Sequence, residues 1–506
     1  MKTTRATSFL LLCCLAAGSL APAQTRSSAS DRTSVDLTIY NQNLALVREE
    51  RTMDLLKGMN RIIVPDIPAT IDGTSLHFSS LTDPPAVKVI EQNYQYDLVH
   101  QAKLMEKYIG REVEFFRNNN ETNKEYSVKG KLLATGWQPQ PGYRPYGGNA
   151  PYYATGQMIA EIDGKIEIGP AGRLVLPGLP EGLILKPQLE WLVANSRQGL
   201  HRTEISYLAG QLTWSCSYVA LLNANDSQID LTGWVTIINN SGTTFKNAGL
   251  KLVAGDVNLV NNEQAGYGLR KSMNMAEAST AAPQFQQKEL FEYKLYTLQR
   301  RTDIRNNETK QIELTSAKNI LAKKIFMYDG LSDQWRYWAN NYSYREQGSF
   351  GQQSGKKVGV YVAFKNDEQS GLGIALPKGS VRVYKRDSDG KEQFVGEDEI
   401  DHTPKDEELK LFLGNAFDIV GEHTQQNFRV IVPGHVVDET IEIKVRNHKS
   451  EPVEILVVEH PWRWNEWDIT KSSAGWEKVD QTTVRFPLKL KKDEEKVVTY
   501  TIRYNW

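Results

Sequence analysis

Val498-Thr499-Tyr500-Thr501-Ile502-Arg503-Tyr504-Asn505-Trp506 closes the chain with apolar and polar residues in unbroken alternation. Successive side chains of a strand point to opposite faces, so this stretch has one apolar and one polar face. A terminal aromatic on such a strand also resembles the closing strand of an outer-membrane barrel. A barrel needs many successive strands of about ten residues with an apolar outer face. Here most strand candidates are shorter and carry charges on both parities, so the segment reads as the last strand of a sandwich.

The same period recurs upstream. Val35, Leu37 and Ile39 alternate with Asp36 and Thr38, and Ile441, Ile443 and Val445 alternate with Glu442, Lys444 and Arg446. Ile229, Leu231, Val235 and Ile237 share a face and run into the turn Asn239-Asn240-Ser241-Gly242. Asp163-Gly164 and Asp389-Gly390 sit between alternating runs, a hairpin signal because the tight turn needs positive φ. Val484, Phe486, Leu488 and Leu490 line one face of a strand that Pro487 confines to a sheet edge. The fold class is therefore mainly β, built of antiparallel β-sandwich modules. One amphipathic helix stands out, with Leu98, Ala102, Met105 and Ile109 at helical spacing, Asp97 as cap and Gly110 as stop. It makes the N-terminal region a small α+β module.

The organisation follows from the breaks. Residues 1–23 read as a signal peptide: Lys2 and Arg5, an apolar run from Phe9 to Leu15, and Ala21-Pro22-Ala23 for cleavage. That run is shorter than the roughly 20 residues needed to span a bilayer. Lipid attachment at Cys13 or Cys14 lacks the small preceding residue it needs, so cleavage after Ala23 is the reading. Residues 33–185 form an N-terminal β-rich module and 186–506 a sandwich interrupted by a mobile insertion at about 261–288. The tyrosines of residues 138–155 (Tyr143, Tyr146, Tyr152 and Tyr153) lie in an irregular loop. No transmembrane helix is expected in the mature chain.

Of 506 residues 40% are hydrophobic and 24% charged, so the chain can fill a core, and its net charge of −1 argues against nucleic acid as partner. Cleavage leaves Cys216 as the lone cysteine, which excludes an intramolecular disulfide and reads as a buried small hydrophobe. Gly-x-Ser-x-Gly and His-Glu-x-x-His are absent. Gly351 to Lys357 is one residue too short for a phosphate loop, and Gly266-x-Gly268 lacks the third glycine of a dinucleotide site. No cofactor and no metal is implied.

Two clusters remain as candidates. His402 with Asp401 and Asp406, in Glu397-Asp-Glu-Ile-Asp401-His402-Thr-Pro-Lys-Asp406, has the residue types for acid–base work or a divalent ion. Its alternative is a solvated charged loop. Trp462, Trp464 and Trp467, in His460-Pro-Trp462-Arg463-Trp464-Asn-Glu-Trp467, offer flat rings and hydrogen-bonding neighbours suited to sugars or to a protein partner. Their alternative is to seal the core, with Trp462 and Trp464 on one strand face and Trp467 on the other.

The chain resembles the bacterial family called domain of unknown function 4139, the mucoidy inhibitor A-like exported proteins. The likeness is carried by Leu212-Thr-Trp-Ser-Cys-Ser-Tyr218, Gly233-Trp-Val-Thr-Ile-Ile-Asn-Asn-Ser-Gly242 and Leu250-Lys-Leu-Val-Ala-Gly-Asp-Val-Asn258. It continues in Val381-Arg-Val-Tyr-Lys, Gly396-Glu-Asp-Glu-Ile-Asp-His402-Thr-Pro-Lys and Gly414-Asn-Ala-Phe-Asp418, covering about 190–506. The opening Leu37 to Val47 is similar to the usual start of such proteins, while the coiled-coil arm of longer members is missing. The resemblance implies a β-sandwich and a link to the cell envelope, and no catalytic residues. The expectation is an exported, non-enzymatic protein, periplasmic or extracellular, that binds an envelope protein or glycan. The alternatives are a hydrolase or metal-binding protein using the His402 loop, and an outer-membrane-associated protein.

Overall fold

Alternation becomes strand throughout the computed structural model, which describes residues 22–119, 121–139, 153–255, 284–348, 354–387 and 389–506. The protein is 63% strand and 6% helix, a mainly β fold of antiparallel-rich sheets. Parallel exceptions include Ala23–Arg26 on Gly58–Pro65 and Phe245–Ala254 on Arg32–Tyr40. Asp163 and Gly164 both take positive φ between the strands Ile159–Ile162 and Lys165–Ile168, as the hairpin signal requires. Pro487 pairs with Leu456 on one side and lies beyond the residues that pair with Glu477–Asp480 on the other, so it occupies an open edge.

Three cores hold the fold. The largest is filled from facing sheets: Leu37, Val47 and Tyr207 from one, Trp214, Tyr218 and Val381 from another, with Trp191 and Val193 from a third. Cys216 lies in this core, and burial pushes its thiol up to about 12, so it behaves as a small apolar side chain. The second core gathers Ile441, Ile443, Phe486 and Val498. Tyr500, Ile502 and Tyr504 turn into it, while Thr499, Thr501 and Arg503 of the closing strand face outward. Two long strands, Glu308–Asp329 and Glu408–Val432, run from the first core into the second and weld them.

The third core is small. Residues 96–187 leave between the adjacent strands Val87–Gln95 and Gln188–Asn195 and return, carrying a five-stranded sheet and helix α1 (Gln101–Lys107). Phe115, Leu132 and Ile162 pack there with Tyr108. The helix is shorter than its periodicity suggested. Leu98 pairs with Ile184 before it, Ile109 lies after it and is exposed, and His100 rather than Asp97 accepts the first-turn N–H from Lys103. Asp97 binds the Lys103 ammonium instead, at 2.7 Å.

Hydrogen bonding crosses the expected boundary at residue 185. Leu44–Leu55 pairs along its whole length with Gly199–Gly210, placing residues from both expected modules in one sheet. Residues 285–288 of the expected insertion belong to the strand Phe285–Leu290; residues 261–283 lie outside the described residues, as do Gly266 and Gly268. So do most of the signal segment with Cys13 and Cys14, the residues Gly351 to Gln353, and Tyr143, Tyr146 and Tyr152. Among the described residues no helix is long and apolar enough to cross a membrane.

Candidate functional site: an aromatic strap on the second core

Between the long strand ending at Asp329 and the strand Lys357–Lys365 the chain leaves the sheet and crosses the second core as a strap. It contains helix α2 (Gln334–Ala339) and the single turn Tyr342–Tyr344. Its Trp335, Trp338 and Tyr342 fall at helical steps, but the run is too short, with Tyr337 and Tyr344 off that face, to stand out as a helix in the sequence.

The strap docks on residues 460–464, which join no sheet and bend at Arg463. Alternate residues reach it. His460 stacks on Trp335 with centroids 4.7 Å apart and planes 13° apart, and Trp462 meets Trp338 at 5.4 Å. Trp464 meets Tyr342 at 6.5 Å. Positions 335, 338 and 342 recur at three- and four-residue steps, matching one face of the helix and its continuation to the two-residue step below. The Arg345 guanidinium is wedged between the rings of Tyr342 and Trp464, 3.8 Å from each centroid.

Arg463 lies against the Trp462 ring, its guanidinium carbon 4.3 Å from the centroid. It is fully buried, gripping Glu439 through Nε at 2.8 Å and Nη2 at 3.0 Å. Its Nη1 donates to the carbonyls of Tyr344 (2.9 Å), Arg345 (3.1 Å) and Gln347 (2.9 Å), so one guanidinium clamps the strap backbone to the core. Burial works against the Glu439 charge, but Arg463 and the Gln425 amide at 2.5 Å hold its carboxyl below the usual carboxylate range. Beside this pair, Glu459 Oε2 accepts from Tyr500 at 2.6 Å and lies 3.1 Å from His423 Nε2.

The sequence-chosen tryptophans are thus parts of the scaffold more than its exposed face. Trp462 and Trp467 are only 7% and 6% exposed, and Trp467 packs in the second core with its Nε1 on the Gln481 carbonyl at 2.7 Å. Trp464 is half-buried, one face taken by Arg345. Residues 460–466 join no strand, so the expected alternation of Trp462 and Trp464 against Trp467 has no strand to act on. The exposed rings are those the sequence reading missed: Tyr337 is 68% and Tyr342 70% exposed. Aromatic residues interleaved with Asn, Ser and Arg in Gln334 to Arg345 were the available signal.

The acidic loop assembles differently from a site. Asp401 is 94% exposed and lies 3.7 Å from Lys378, whose backbone N–H donates to His402 Nδ1 at 3.1 Å. Asp406 takes positive φ in a turn and donates its N–H to the Asn366 carbonyl at 2.6 Å. A cavity of about 210 Å³ beside this loop is lined by Glu289, Lys294, Pro404 and Lys405 and by none of the three candidates. Among the described residues no group of three His, Cys, Asp or Glu side chains is placed to hold a metal ion.

His460 gives the strap a pH dependence. Its Nε2 faces Asp329 at 3.3 Å and its Nδ1 the Thr482 carbonyl at 3.0 Å, two acceptors that only the imidazolium satisfies together. Burial lowers its pKa, yet Asp329, Thr482 and Glu459 outweigh it and the value is raised, with Asp480 a further neighbouring carboxylate. A raised folded value means stabilisation complete below the ordinary histidine range and lost as pH rises through the folded pKa. Strap docking is therefore expected to weaken from about pH 6.5 upward. Trp335 fluorescence should titrate in that window, and His460→Gln should abolish the titration.

No family model matches the chain, and no curated protein is found as a relative.

Proposed function

We propose that the protein is an exported, non-enzymatic β-sandwich protein of the cell envelope, of the kind to which the domain of unknown function 4139 resemblance points. In this reading it binds glycan through the strap. The observation that carries it is the pair Tyr337 and Tyr342, exposed on a segment whose backbone is fixed by a buried guanidinium. Flat rings held on a fixed backbone suit the C–H faces of sugars. Asn340, Asn341 and Ser343 lie exposed beside them to bond hydroxyls. Export rests on the N-terminal signal pattern. Ala23, the expected cleavage residue, opens the strand Ala23–Arg26, so cleavage leaves Gln24, Thr25 and Arg26 to keep that pairing.

Tyr337→Ala should leave folding intact, since exposed positions contribute within about 0.5 kcal/mol, whereas Tyr342→Ala also removes the ring that packs on Trp464 and Arg345 and needs its thermal midpoint as a control. Each is expected to weaken binding to neutral envelope oligosaccharides about tenfold, roughly 1.4 kcal/mol, by calorimetry. Unchanged glycan affinity in both variants would overturn the reading and favour a protein partner.

A further inference from the structure

Arg345 carries the least satisfied charge of the strap. Its guanidinium is held by two ring faces and interacts with the Tyr342 side chain, and among the described residues no ion pair to a carboxylate is seen for it. Its Nε is buried without an acceptor, and the residue as a whole is half-buried. Arginines elsewhere on this face are paired: Arg463 with Glu439, Arg503 and Arg429 with Asp438, and Arg336 with Asp333. A half-buried guanidinium without a counter-charge is unusual, because desolvation is ordinarily offset by an anion.

The mount is also rigid. The Arg345 carbonyl is fixed by Arg463, its N–H is bonded to the Tyr342 carbonyl at 3.3 Å, and the two rings fix the plane through which the fork is presented. A donor held ready in this way loses little entropy when it binds. Guanidinium presents parallel N–H groups that match a carboxylate in two bonds, and such charge-assisted pairs are stronger than neutral ones. The exposed Tyr342 ring then lies beside the place where the carboxylate's own sugar ring would sit.

We propose that Arg345 is a specificity-determining residue for sugars that carry a carboxylate, the carboxylate bonding to the guanidinium edge while the pyranose ring stacks on Tyr342. The assignment rests on the glycan reading above and names its ligand class. A hexuronate and a lactyl-ether sugar acid share this chemistry and differ in how far the carboxylate stands from the ring.

Calorimetry with the full mature chain tests it, using trigalacturonate, its methyl ester, an N-acetylmuramic acid disaccharide and a hexaglutamate peptide. The wild type is expected to bind one of the two sugar acids at least tenfold more tightly than the neutral ester, with the preference shrinking at high salt. Whichever acid wins identifies the source. Arg345→Gln should lose that preference while keeping the ester affinity, and Arg345→Lys should keep only part of it, since an ammonium lacks the fork. An unchanged thermal midpoint in Arg345→Lys separates loss of the fork from loss of the strap. Equal binding of acid and ester by the wild type, or a preference that survives Arg345→Gln, overturns the assignment. Hexaglutamate binding as tight as the better sugar acid overturns it in favour of acidic peptides. Ester binding that still depends on Tyr337 leaves the glycan reading standing when the charge assignment falls, and binding of no sugar sinks both.

Discussion

Arg463→Ala is expected to destabilise the protein by about 3–5 kcal/mol, the cost of leaving one member of a buried ion pair without its partner. The side chain is 0% exposed and Glu439 4%, so water cannot replace the lost bonds without opening the core. The three strap carbonyls lose their shared donor as well. The pH dependence should change sign. In the wild type Glu439 is held below its ordinary pKa, so its contribution is present above the usual carboxylate range and lost as pH falls through the folded value. Without Arg463 burial dominates and Glu439 favours its neutral form, which adds stability at acid pH and withdraws it as pH rises. Urea denaturation at pH 4, 5.5 and 7 should therefore show the deficit of Arg463→Ala growing with pH. Arg463→Met combined with Glu439→Leu should recover part of the loss, since removing both charges spares the buried anion. A single variant within 1 kcal/mol of wild type at pH 7, or a deficit independent of pH, would show that the pair does not hold the strap.

The fate of these residues shows what alternation reveals and what it hides. Period two identified the faces of Val35 to Ile39, Ile441 to Val445 and Val498 to Tyr504 because burial on one side of a sheet selects apolar residues at every second position. The same rule places Glu439 on the inward face, between Val437 and Ile441, and Glu49 with Arg51 between Val47 and Met53. In the sequence these look like charges on the wrong parity, and alternation alone does not mark them as buried pairs. The tryptophan cluster was legible as a group but not as a location: the sequence reads the same whether the indoles at 462 and 464 meet solvent or a strap arriving from residues 330–348. The strap is distant in sequence, and contact with it depends on where the long strand Glu308–Asp329 ends. His402, Asp401 and Asp406 were adjacent in sequence, yet extended backbone and a turn point them apart and into water.

Arg51→Ala should cost stability on the scale of the Arg463 variant but nearer its lower end, about 3 kcal/mol, because the buried carboxylate it leaves is partly served by others. Arg51 binds Glu49 through Nε at 3.1 Å and Nη2 at 2.6 Å, and Arg32 stays 3.4 Å from the same carboxylate. The Tyr207 hydroxyl lies 3.2 Å from Glu49, and burial followed by that carboxylate raises its own pKa far above the ordinary phenol value, so it remains a donor. What the variant loses outright is the bond from Nη1 to the Ser28 carbonyl at 2.8 Å, with the longer one to Ser27 at 3.3 Å. These tie the chain just after the strand Ala23–Arg26 to the sheet. That strand pairs with Gly58–Pro65 along one edge only, and four residues at an edge have little hold of their own. Hydrogen exchange should then show the Ser27 amide, bonded to the Ile63 carbonyl at 2.9 Å, losing protection before the neighbouring strands do. In Arg463→Ala the protected set should be the reverse, with Ser27 unaffected and the 330–348 amides exchanging faster. Two guanidiniums, each on a carboxylate inside its own core, would then be acting as independent clamps on segments the sheets do not otherwise retain. Continued protection of Ser27 in Arg51→Ala would instead mean that edge pairing alone secures the first strand.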